Sequence, residues 1–85
     1  MKEFKYMITD PEGIHARPAG ELIKAIKDFA SKITITKDGK VADAKSIFGV
    51  MRLAVKQGQE IVMTAEGDDE EKAIAAIEKF LKENM

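Results

Sequence analysis

The sequence predicts an α+β domain in which one four-stranded sheet carries helices on a single face. Three observations lead there. Apolar residues alternate with a period of two in several short runs. Between those runs they recur at helical spacing. An Asp38-Gly39 step joins two strand-like runs and marks a hairpin, so at least that strand pair is antiparallel. The 85 residues suit one domain, residues 1–85. With no cysteine there is neither a disulfide nor a thiolate metal site, so the fold must rest on the 45% of residues that are apolar.

Each element has its own signal. Phe4, Tyr6 and Ile8 alternate with Lys5 and Met7 across Glu3–Thr9, the period of a half-buried strand. Asp10-Pro11-Glu12-Gly13 breaks it as a loop. From Ala16 the period changes, and Ala19, Leu22, Ile23, Ile26, Phe29 and Ala30 make one helical stripe. Ile33 and Ile35 alternate with Thr34 and Thr36 in a second strand, and Val41–Ala44 returns as a short edge strand. Ser46 is placed to N-cap a second helix, which Gln57-Gly58-Gln59 ends. Ile61–Glu66 is the fourth strand. Gly67-Asp68-Asp69 then caps a third helix striped by Ala73, Ile74, Ile77, Phe80 and Leu81. Glu70 and Glu71 in its first turn and Lys79 and Lys82 near its end suit the helix dipole. Pattern alone leaves the strand order open, and a ferredoxin-like arrangement uses the same first six elements.

Composition excludes several classes of function. A formal net charge of -1 argues against a general nucleic-acid binder. No apolar run approaches the roughly 20 residues of a membrane helix, so membrane insertion is not expected. Met1-Lys2-Glu3-Phe4-Lys5 lacks the apolar stretch of a signal peptide, and a cytoplasmic location is expected. One histidine, no cysteine and scattered carboxylates make no metal ligand set, so no metal site is expected.

That one histidine is the most informative residue. His15 lies in Gly13-Ile14-His15-Ala16-Arg17-Pro18-Ala19, at the start of the first helix. Pro18 suits a first turn, where its missing N–H would have no partner. The first N–H groups of a helix are unpaired and its dipole disfavours imidazolium, which keeps a ring lone pair available for attack on phosphorus. The same groups then favour a bound phosphate, and the Arg17 guanidinium adds planar donors. No metal or other cofactor is needed.

The second helix has more apolar surface than a two-turn helix can bury. Val50, Leu53 and Ala54 form one arc; Ile47, Phe48, Met51 and Val55 form another. The second arc, or part of it, is expected to be exposed as a docking surface. Ser46 beside it reads first as an N-cap and second as a phosphorylation site, since a helix N-terminus tolerates the added charge.

The two segments together resemble the HPr family, the histidine-containing phosphocarriers of the bacterial phosphoenolpyruvate-dependent sugar phosphotransferase system. Gly13–Ala19 resembles the family's active-site motif and Lys45-Ser46-Ile47-Phe48-Gly49-Val50-Met51 its regulatory-serine motif, and the likeness covers the whole chain. The resemblance implies an open-faced β-sandwich with strand order 1-4-2-3 and three helices on one face, in a monomer. It implies that His15 accepts phosphate on Nδ1 from enzyme I and passes it to enzyme IIA domains. Arg17 and the amides of Ala16 and Arg17 would hold the group. Ile47, Phe48 and Met51, with Lys24 and Lys27 on the first helix, would dock both partners. Such a carrier is not a stand-alone enzyme. The serine motif is similar to the version in low-GC Gram-positive bacteria. There an ATP-dependent HPr kinase/phosphorylase modifies the serine, and the product is a corepressor of the catabolite control protein. An HPr-like regulatory adaptor acting mainly through Ser46 is the second reading. Two residues depart from the family. Gly20 stands in place of alanine or threonine on the contact face, where it loosens the turn or admits a closer partner. Arg52 replaces a small hydroxyl residue and suits an acidic partner or a phosphoserine.

Overall fold

Seven elements follow the order the sequence periods indicate. The computed structural model describes residues 1–85 as β1 (Lys2–Met7), α1 (Ala16–Ile26), β2 (Lys32–Lys37), β3 (Lys40–Asp43), α2 (Ile47–Arg52), β4 (Glu60–Glu66) and α3 (Glu70–Asn84). The strands form one antiparallel sheet ordered β1-β4-β2-β3, the order implied by the family resemblance and not the ferredoxin-like one. β3 lies at an edge, paired only with β2. Its turn has Asp38 and Gly39 both at positive φ, 51° and 79°, as a type I′ hairpin requires.

The sheet's alternation decides which face the helices cover. Ile33 and Ile35 on β2 and Ile61, Met63 and Ala65 on β4 point into the core and are buried. Thr34, Thr36, Val62 and Thr64 lie on the opposite face, half-buried. The Thr34 and Thr64 hydroxyls hydrogen-bond to each other across β2 and β4. An antiparallel sheet tolerates such a wet face, whereas a parallel one rarely does. Onto the apolar face pack Ala19, Leu22 and Ile26 of α1, Val50 of α2, and Ala73, Ile77 and Leu81 of α3. Fully burying a Val, Leu or Ile side chain is worth about 1.5–3 kcal/mol before conformational entropy is counted.

Two expectations need correction. The second helix does not run to Gln57. It ends at Arg52, because Leu53 is its C-cap and Ala54 turns into the left-handed region at φ 52°. Val55 is therefore buried, not part of an exposed arc, and Ala54 is exposed. Asp69 does occupy the N-cap position of α3, but its side chain makes no capping bond. Its carboxylate instead accepts from the Ala30 N–H at 2.7 Å and the Ser31 N–H at 2.9 Å, and also from the Ser31 hydroxyl. The start of α3 is thereby tied to the segment entering β2. The Ser31 hydroxyl and the Ala30 N–H hold Asp69 below its ordinary value of 3.8.

Candidate functional site

The loop before α1 is built by backbone bonds that run from one end of it to the other. Thr9 N–H and Asp10 N–H both donate to the Met85 carbonyl, at 2.6 and 2.9 Å. Gly13 N–H returns to the Asp10 carbonyl at 2.9 Å, closing a turn. Ile14 N–H then donates to the Val55 carbonyl at 3.0 Å, and the Ile14 side chain joins the core. Gly13 is required here for two reasons. Its φ is +68°, and a Cβ would lie 2.2 Å from Val55 O and 2.7 Å from Lys56 Cα. The left-handed turn at Ala54 presents that Val55 carbonyl to the loop.

These constraints deliver His15 to the N-cap position of α1, with extended backbone and no capping bond from its ring. The first helical bond runs from Ala19 N–H to the His15 carbonyl at 3.0 Å. The N–H groups of Ala16 and Arg17 therefore have no helical partner, and Pro18 has none to place. The imidazole is partly exposed, and Glu12 Oε2 lies 3.2 Å from Nε2. In the neutral ring, a carboxylate at that distance favours the tautomer with the proton on Nε2 and the lone pair on Nδ1. Arg17 is 84% exposed at its side chain, with Nε 3.7 Å from Glu21 Oε1. An exposed pair of this kind is worth about 1 kcal/mol or less, so an incoming anion displaces Glu21 at little cost. Asp10, His15, Arg17, Pro18, Glu21 and Asn84 line one shallow depression.

Sequence reasoning placed His15, Ala16 and Arg17 together, and the fold keeps them so. It missed Glu12 and Glu21. The Arg17–Glu21 spacing of four was a readable helical signal. The Glu12–His15 approach depends on the turn closed by Gly13 and has no comparable signal. Nor are the carboxylates all scattered: Asp10, Glu12 and His15 each offer a ligand atom within 4.8 Å of the others.

The remaining candidates lie on α1 and α2, which pack against each other. Arg17, Gly20, Lys24 and Lys27 follow helical spacing along one side of α1, and both lysines are exposed. Gly20 has ordinary helical geometry, and an added Cβ would meet nothing within 4 Å, so the loop does not depend on it. On α2, Phe48 is 80% exposed, Ile47 38% and Met51 37%, as expected for that part of the second arc. Ser46 is the N-cap of α2; its Oγ accepts from Gly49 N–H at 3.2 Å. Ser46 and Arg52 line the same groove beside β3, together with Lys40 and Asp43. No helix is long and apolar enough to cross a membrane.

The chain is similar to known proteins over nearly its whole length. A family model described as the PTS HPr component phosphorylation site matches residues 2–83. The phosphocarrier protein HPr of Lysinibacillus sphaericus is 45% identical over 83 residues, covering 98% of this chain and 94% of that protein. Among solved structures, the histidine-containing phosphocarrier protein of Mycoplasma has a TM-score of 0.93 at 43% identity, covering 96% of this chain and 93% of that one. Crh, the Bacillus subtilis catabolite repression protein described as a domain-swapped dimer, has a TM-score of 0.78 at 35% identity, over 100% of this chain and 98% of that one. With a family match from residue 2 to residue 83 and a relative 45% identical over 98% of its length, the chain belongs to the HPr family of phosphotransferase-system phosphocarriers.

Proposed function

We propose that the chain takes a phosphoryl group onto His15 Nδ1 from phosphorylated enzyme I and hands it to enzyme IIA domains of sugar permeases. The observation that carries this reading is the ring at the N-cap of α1, beside the open amides of Ala16 and Arg17. Glu12 holds the proton on Nε2, so the Nδ1 lone pair attacks phosphorus. The Nδ1–P bond forms as the bond to the donor breaks, and the reverse exchange delivers the group to the acceptor. Two amides and the helix dipole stabilise the transferred dianion, and the Arg17 guanidinium swings from Glu21 to its oxygens. No metal or cofactor enters this scheme. The chain is covalently changed by one partner and restored by the other, so it does not turn over alone. It works in the cytoplasm as a monomer, where Phe48, Ile47 and Met51 supply apolar contact. Lys24, Lys27 and Arg52 supply charge toward acidic partners, and Gly20 lets a partner approach α1 closely. The test is incubation with phosphoenolpyruvate and enzyme I. An acid-labile, alkali-stable adduct is expected, and it must disappear in His15→Ala. No adduct on the wild type, or one that persists in the variant, refutes the reading.

A second reading is supported by one observation: Arg52 and Lys40 share a groove with Ser46. Phosphorylation of Ser46 by an HPr kinase/phosphorylase would set a dianion among these cations and create a face for a catabolite control protein, making the chain a regulatory adaptor in carbon catabolite repression. Incubation with ATP and the kinase tests it. An acid-stable phosphate, lost in Ser46→Ala, is the expected result.

A further inference from the structure

We propose that Asp10, Glu12 and His15 bind one divalent transition-metal ion, and that the bound ion silences His15 as a phosphoryl acceptor; the second half rests on the carrier function proposed above. The three side chains come from one short loop, yet the turn between Asp10 and Gly13 folds them toward a common point. Their ligand atoms all lie within 4.8 Å of one another. Zinc bonds to imidazole nitrogen and carboxylate oxygen are about 2.0–2.2 Å, which puts adjacent ligands of a tetrahedral ion roughly 3.3 Å apart. The His15 Nε2 to Glu12 Oε2 separation is already 3.2 Å.

Further features suit a cation. Neither Asp10 nor Glu12 pairs with a lysine or arginine, so two carboxylates face the imidazole unneutralised. Asp10 is held from both sides: its N–H donates to Met85 O, and its carbonyl accepts from Gly13 N–H. Its Oδ1 accepts from Glu12 N–H at 2.8 Å, which orients the carboxylate and leaves Oδ2 free. Glu12 is exposed, and its side chain can close the remaining gap. One imidazole and two carboxylates form a mixed nitrogen–oxygen set, suited to zinc or its first-row neighbours and poorly suited to a monovalent ion.

The consequence for His15 follows from proton counting. A neutral imidazole has one proton and one free ring lone pair. A metal bound at Nε2 uses a lone pair on that nitrogen, so the ring's one proton must leave Nε2 and sit on Nδ1. Nδ1 then has no lone pair with which to attack phosphorus. Binding of the ion and transfer of the phosphoryl group thus exclude each other through a single ring, and partner contacts need not change.

The test titrates the full chain with zinc chloride alone, by calorimetry and by NMR of the His15 ring protons. One saturable site is expected, with the ring signals moving at the same stoichiometry. Asp10→Asn keeps an oxygen for the Glu12 N–H but removes a charged ligand, and Glu12→Gln does the same at the second ligand. Each is expected to weaken zinc binding by about tenfold or more. Zinc is then added to phosphorylation by enzyme I, each variant being compared with its own zinc-free rate. The wild type is expected to slow, and both variants to slow less at the same zinc concentration. Absence of a saturable response at millimolar zinc, or equal affinity in all three proteins, overturns the site. Zinc binding with no slowing of phosphorylation overturns the silencing. Failure of the carrier reading has its own signature: no adduct without zinc, whatever the calorimetry gives.

Discussion

Replacing Gly13 by alanine perturbs the one residue that lets the His15 loop lie against the Val55 carbonyl. Two costs add. A residue with a Cβ in left-handed conformation costs roughly 1–2 kcal/mol, and Gly13 has φ +68°. The new methyl would meet Val55 O at 2.2 Å and Lys56 Cα at 2.7 Å. Both are backbone atoms and cannot rotate away, so the strain is that of an overpacked core, about 1–3 kcal/mol. The expected loss is therefore about 2–5 kcal/mol, a large part of the roughly 5–15 kcal/mol that stabilises a typical domain. Gly39→Ala is the control. Its φ is +79°, but nothing lies within 4 Å of the added Cβ, so it carries the conformational cost alone. Urea unfolding of both variants, read as midpoint and slope, gives the difference between them. Gly13→Ala is expected to lose about 1–3 kcal/mol more than Gly39→Ala. The loop must also shift to relieve the contact, displacing His15 from the helix start. A displacement near 1 Å costs about a hundredfold in a positioned reaction, so phosphorylation by enzyme I should fall by about that factor in the folded fraction. Equal losses in the two variants, or an unchanged phosphorylation rate in Gly13→Ala, would refute the account of the loop.

Three other perturbations have defined outcomes. Gly20→Ala fills open space on an ordinary helical turn and should stabilise the fold by about 1 kcal/mol in thermal or urea unfolding. Phe48→Ala removes an exposed ring, so stability should change by no more than about 0.5 kcal/mol. Binding to enzyme I, measured by calorimetry, should weaken by about 2 kcal/mol if the ring anchors that contact. Asp69 is held below its ordinary value by the Ser31 hydroxyl and the Ala30 N–H. Its folded-state value is depressed, so its contribution is complete above the ordinary value of 3.8 and is lost as pH falls through the lowered one. Unfolding followed between about pH 5 and pH 2 should therefore show a steeper loss in the wild type than in Asp69→Asn. Parallel profiles would contradict that assignment.

The sequence was most informative where a local period or a turn residue decides the structure. Ile33 and Ile35, or Leu22 and Ile26, announce their elements because burial on one face demands that spacing. Asp38-Gly39 announces its hairpin because few other residue pairs accept positive φ twice. His15 was legible as a helix start because Pro18 restricts where the helix can begin. The end of α2 was not legible. Ala54 gives no sign of a left-handed turn, and the chain adopts it because Leu53 and Val55 must both be buried. Strand order was likewise hidden from pattern, since β1 and β4 pair across most of the chain's length. Nor did local rules place Glu12 beside the imidazole, because that approach depends on the distant Val55 carbonyl, which accepts from Ile14 N–H and leaves no room for a Cβ on Gly13. Asp69 shows the same limit. Its position named it a cap, while its carboxylate satisfies amides in the segment entering β2.

The central claim is that a phosphoryl group on His15 sits at the start of α1 and is held by the amides left free there. Nitrogen-15 and phosphorus-31 NMR of the phosphorylated chain tests it most directly. The expected spectrum has phosphorus coupled to Nδ1, with the largest amide proton shifts at Ala16 and Arg17. Phosphorus on Nε2, or shifts at those two amides no greater than elsewhere on α1, would contradict the claim.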